Sequence, residues 1–144
     1  MSMYGREDET WDRFTEVGLA FLIERARLGK VTSYTELNTT LERRTKLPAF
    51  DFEREVDRKA MGHLLGLVVD RHRPITGLMI SALVHYLDAN DAGPGFYALA
   101  KQLGLLPQRA TSDEKLSFWI SQVNGIHAYY SPRRTAAPAT WHQP

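Results

Sequence analysis

Five histidines, a serine and a histidine four residues apart, an aspartate at the end of an apolar run and a Gly-Pro-Gly turn are the features of this chain that could do chemistry. His63, His72, His85, His127 and His142 contain no i,i+4 pair and no companion carboxylate at a recognised ligand spacing, which argues against a zinc or iron site. Ser81 and His85 share a face of a regular strand, but four extended residues separate them by roughly 13 Å, too far for a nucleophile–base hydrogen bond. His85, Asp88 and Tyr97 can line a pocket at the end of that strand, where sites form in α/β sheets; this would be a hydrolase or transferase site lacking a demonstrable nucleophile and base. The turn Gly93-Pro94-Gly95 before Phe96-Tyr97 offers helix-start amides to an anion. It lacks both the phosphate-loop lysine and the dinucleotide fingerprint, so no cofactor and no catalytic residue are expected.

The elements that must position these residues follow from periodicity. Leu78 to Leu87 is apolar on both faces and predicts a strand covered on both sides, followed by a turn over Asn90 to Gly95 and a helix from Phe96 to Leu103 that Gly104 caps. Trp11, Phe14, Val17, Gly18, Phe21, Leu22 and Leu28 recur at helical spacing, which predicts a first helix from Thr10 to Leu28 with Gly29 as its stop. Ser33-Tyr34-Thr35-Glu36 reads as a capping box opening a second helix that runs to about Arg44. After Pro48 a third helix begins at Asp51 or Phe52, turns Val56, Ala60, Met61, Leu64, Leu65 and Val68 inward, and ends near Asp70. Gly62 and Gly66 on it each cost up to about 1 kcal/mol relative to alanine, which predicts a close helix crossing or close strand packing as compensation. Thr111 to Glu114 is a second capping box, opening a helix with Leu116, Trp119, Ile120, Val123 and Ile126 on one face up to about Tyr129. The expectation is a mostly helical α+β fold, a winged-helix-like unit with a short sheet that contains the strand near residues 78–87. Residues 1–130 would form one domain, and 131–144, rich in Pro, Ala and Thr, a disordered tail.

At 144 residues a single domain can bury roughly 68–70% of its unfolded surface without a metal or disulfide staple. The absence of cysteine excludes disulfides, thiolate metal sites and a cysteine nucleophile. The first residues are polar and acidic, unlike a secretory signal, and no apolar run approaches the roughly 18 residues of a membrane span, so a cytoplasmic protein with no membrane partner is expected. The net charge is only +1, yet eleven Lys and Arg stand against seven Asp and Glu between Arg25 and Arg73. Part of that excess can be ordinary helix surface, since Glu55 with Lys59 and Glu42 with Lys46 are i,i+4 partners.

Gly29-Lys30-Val31-Thr32-Ser33-Tyr34-Thr35-Glu36-Leu37 resembles the start of the DNA-binding domain of O6-alkylguanine-DNA alkyltransferases and alkyltransferase-like proteins, which carry a comparable Gly-Lys-Val-Thr-Thr-Tyr-Gly stretch. Arg58-Lys59-Ala60-Met61-Gly62 resembles, one residue longer, the Arg-Ala-Val-Gly motif of their recognition helix. The resemblance covers about a third of the chain. It implies a helix-turn-helix in which Tyr34 and Arg58 help rotate a base out of the duplex. The family's Pro-Cys-His-Arg motif has no counterpart here, which excludes alkyl transfer. The later pattern Leu78 to Val84, with Pro94-Gly95-Phe96-Tyr97-Ala98-Leu99-Ala100, is similar to an uncharacterised family of small bacterial and phage proteins and implies no activity.

Three functional expectations follow. The first is a non-catalytic DNA-binding protein, phage-encoded or regulatory, contacting nucleic acid through Lys30, Ser33, Tyr34, Arg43, Arg44, Arg54, Arg58 and Lys59. The second is a protein-interaction module, a homodimer or adaptor, anchored by Phe118, Trp119, Tyr129 and Tyr130 on the last helix. The third is the hydrolase or transferase site near Asp88.

Overall fold

A computed structural model of the chain describes residues 2–86 and 92–131. The expectations for Asp88, His142 and the tail from 132 onward lie outside the described residues. A short antiparallel pair, β1 (Ser2–Met3) and β2 (Arg6–Glu7), leads into α1 (Asp8–Arg27). Leu28 then closes the helix, and Gly29, at φ 67°, takes the left-handed conformation that ends it, as the spacing predicts. Helix α1 lays Trp11, Phe14, Phe21, Leu22 and Ala26 against Leu37 and Leu41 of α2 (Tyr34–Thr45) and against Ala60, Met61, Leu64 and Val68 of α3 (Glu55–Thr76). This three-helix core is where the predicted apolar faces meet, except that Leu28 and Val56, expected on them, are exposed. The molecule is a mostly helical α+β fold with a small sheet, as expected.

The apolar run from Leu78 departs from expectation. Burial is as predicted, with Met79 to Val84 all inside, but Ile80–Leu83 forms a 3₁₀ turn and only β4, Val84–His85, is extended. Strand β4 pairs in parallel with β3, Thr32–Ser33, two residues on each side. A continuous apolar run reports that a segment is covered all round, and that condition does not fix its backbone. Side chains of α5 (Ser112–Tyr130) replace the missing ladder. The Met79 amide donates to Gln122 Oε1 at 2.8 Å, and Trp119 Nε1 donates to the Ala82 carbonyl at 2.8 Å. The residues after β4 resume with α4, Pro94–Gln102, whose Phe96, Tyr97 and Ala100 build a second core with Val69, Met79, Ala82 and Leu106.

Helix α3 starts at Glu55, because residues 51–54 form a turn in which the Arg54 amide donates to the Asp51 carbonyl and the Asp51 amide to Asp57 Oδ2. It also runs past Asp70 to Thr76, with Pro74 inside its last turn and Gly77 at φ 75° ending it. The first capping box is only half formed. The Glu36 amide donates to Ser33 Oγ at 3.0 Å, whereas the Glu36 carboxylate accepts from the Thr32 hydroxyl and faces Arg25 at 3.8 Å. The second box is complete, with Glu114 N to Thr111 Oγ1 at 3.1 Å and Thr111 N to Glu114 Oε1 at 2.8 Å. Lys59 pairs with Glu55 at 3.3 Å as expected, but Glu42 turns to the Ala49 amide, and Lys46 becomes the left-handed C-cap of α2. Among the described residues no helix is long and apolar enough to cross a membrane.

Candidate functional site

The two cores leave a cavity of about 710 Å³ between them. Its walls are the start of α2 (Tyr34, Thr35), the middle of α3 (Arg58, Met61, Gly62, Leu65, Gly66, Asp70), Ser81 and Tyr86, and one face of α4 (Gly95, Phe96, Ala98, Leu99, Gln102, Leu103). Volume and lining suit a small-molecule site, mainly apolar with a few polar groups. Gly62 and Gly66 belong to this wall, which corrects the expectation of a close crossing. A Cβ built on either would meet no atom within 4 Å, so the glycines border open space. The tight approach belongs instead to Gly93, where a Cβ would lie 2.8 Å from the Tyr34 hydroxyl and 3.0 Å from the Tyr86 ring.

Tyr34 and Arg58, twenty-four positions apart, line the same cavity. The Tyr34 ring packs on Tyr86 with centroids 5.0 Å apart. Burial, and next the neighbouring Tyr86 phenol, pushes its pKa up to about 12, so it stays a neutral hydrogen-bonding hydroxyl. Arg58 Nη1 donates to the Phe52 carbonyl at 2.6 Å, which anchors the exposed guanidinium over the first turns of α3. Arg54, the N-cap residue of α3, and Lys59 flank it in sequence and are exposed.

The other expected contacts are placed differently. Ser33 is buried as the N-cap of α2. Arg44 lies at the far end of that helix, held by Glu24 of α1 through two 2.9 Å hydrogen bonds that raise its own pKa and lower that of Glu24. Arg43 stands beside it and is exposed. Lys30 is exposed in the α1–β3 connection, where its carbonyl meets His127 Nε2 at 3.0 Å. Lys30, Arg43, Arg54 and Arg58 have no carboxylate partner among the described residues.

The aromatic residues of α5 turn largely inward. Phe118 lies 5.8 Å from Phe96, Trp119 is bonded to Ala82, and the Tyr130 hydroxyl meets His72 Nε2 at 2.6 Å; Leu116 and Ile120 are the exposed large apolar residues of the helix. His85 Nδ1 meets the Tyr86 carbonyl at 2.7 Å, and Tyr97 is buried in the second core.

Two buried polar atoms in this region are unpartnered among the described residues, one on Ser81, already weighed with His85, and one on Arg73, which the sequence did not single out. Ser81 is 3% exposed, and its buried hydroxyl has no partner among the described residues although the residue stands in the cavity wall. Arg73 Nε is likewise buried and unpartnered beside a recess of about 360 Å³ that adjoins the cavity at Asp70 and Leu103. A sequence signal for the wall does exist, since Arg58, Gly62, Gly66 and Asp70 recur every four residues, but it becomes readable only once α4 is known to face them. No protein-family model, no curated protein and no solved structure matches the chain.

Proposed function

We propose that this is a non-catalytic, cytoplasmic DNA-binding protein whose helix-turn-helix-like unit, α2 and α3, meets the nucleic acid with the start of both helices. The observation that carries the reading is that Tyr34 and Arg58 line one cavity, with Arg54 and Lys59 beside Arg58 at the start of α3. The amides at the start of α2 and these cations suit phosphate contacts, and the neutral Tyr34 hydroxyl is a further donor. The Lys59–Glu55 pair is exposed on both sides and gives up little when lysine turns to a phosphate. Arg44, committed to Glu24, is left out of the interface.

Three phosphate-neutralising cations predict a salt slope of about −2.7, so that affinity for a short duplex falls roughly 40-fold between about 50 and 200 mM salt. Titration of labelled duplex and single-stranded DNA at both salt concentrations tests this. Arg58→Gln should lower the slope by about 0.9, and Arg58→Glu should weaken binding further. Absence of binding at low salt, or a slope untouched by Arg58→Gln, refutes the reading.

A further inference from the structure

Along α3, Arg58, Gly62, Gly66 and Asp70 follow one another at i+4 spacing and so share one face over about 18 Å. Two glycines in the middle remove side chains from that face, and among the described residues nothing outside the helix's own backbone comes within 4 Å of their Cβ positions. Gly95, at the start of α4, borders the cavity with the same emptiness around its Cβ position. The result is a trough floored by bare backbone, walled by Leu65, Phe96 and Leu99, with a cation at one end and a carboxylate at the other. The start of α2, Tyr34 and Thr35, also borders the trough, and the Tyr34 phenol stays protonated. The Arg58 end favours an anion; the Asp70 end disfavours one.

We infer that the trough binds an amphipathic monocarboxylate, an aliphatic or aryl-aliphatic acid whose carboxylate meets Arg58 and whose apolar body lies over Gly62 and Gly66 against α4. This site does not rest on DNA binding and would compete with it for Arg58. Its occupant is chosen by charge at one end and by the absence of side chains along the floor.

The test uses the full chain with decanoate, decan-1-ol and decylamine below their aggregation limits, followed by calorimetry and by the amide resonances of Gly62, Gly66 and Gly95. Decanoate should bind, shift those resonances and outrank decylamine by about tenfold or more, the size of a charge-assisted hydrogen bond. Arg58→Gln should bring decanoate down to the level of decan-1-ol. Gly66→Leu should remove binding of both, with its thermal unfolding midpoint confirming a folded protein and Gly62→Leu serving as the second blocking variant. Equal affinity for all three probes, resonance shifts away from the glycines, or unaltered binding in folded Gly66→Leu and Gly62→Leu overturns the proposal. Sensitivity to Arg73→Gln in place of Arg58→Gln overturns the orientation, because the carboxylate would then lie at the Asp70 end. Decanoate binding in the absence of any DNA binding would remove the nucleic-acid reading and leave this one standing.

Discussion

Replacing Gly62 and Gly66 with alanine separates a glycine needed for packing from one that leaves space. Both positions lie inside α3, and their φ angles fall outside the left-handed region, so alanine adopts the same backbone. The added methyl meets no atom within 4 Å at either site. What remains is helix propensity, about 0.8–1.0 kcal/mol per substitution, of which a large part is the reduced freedom of the unfolded chain. The residues stand one turn apart, so the two methyls are neighbours, and the double variant should gain up to about 1.6–2 kcal/mol. For a domain of this size that raises the midpoint of thermal unfolding by roughly 5–8 °C. Urea denaturation should show a higher midpoint at unchanged slope. A loss of stability in either single variant would mean that something packs against the glycines, and the trough would not exist as described. Gly125 is the internal contrast, because a Cβ there would lie 3.1 Å from Leu78 Cδ2.

Gly93→Ala should be destabilising by about 1–3 kcal/mol, since its methyl collides with the Tyr34 hydroxyl and the Tyr86 ring; an unchanged urea midpoint would show that the two tyrosines are free to move aside. His72 carries a prediction about pH. Burial lowers its pKa from 6.5, opposed by a weaker hydrogen bond to the Leu78 backbone, so the native state favours the neutral ring between Tyr130 and Thr76. Its contribution is therefore complete above the unfolded value of about 6.5 and is lost as pH falls from there through the lower folded pKa. Thermal midpoints taken across pH 8 to 5 should decline below about 6.5, and His72→Gln should flatten that decline; an equally steep decline in the variant would assign it to other groups.

The helices were legible because each carries its own evidence: an apolar face at 3.6-residue spacing in α1 and α3, Gly29 at the end of α1, and the Thr111–Glu114 box at the start of α5. The segment from Leu78 was not, because its backbone partners are Gln122 and Trp119, some forty residues away, and a local pattern carries no information about them. The basic segment was legible only as a count. Which cations are free depends on where carboxylates arrive from other elements, and Glu24 of α1 reaching Arg44 across twenty residues removes one that spacing alone offers.

The glycines of α3 mark the limit of such reading most clearly. A glycine in a helix interior signals a compensation, and two compensations fit it equally: another backbone lying close, or space kept open. The flanking charges hold the discriminating information. A helix crossing at Gly62 and Gly66 would cover Arg58 and Asp70, one turn beyond on either side, and burying unpaired charges costs several kcal/mol each. Both are exposed, and neither has an ion-pair partner among the described residues. Glycines bracketed by free charges of opposite sign are therefore compatible with a trough and incompatible with a packed crossing, a distinction that four residues at i+4 spacing already contain.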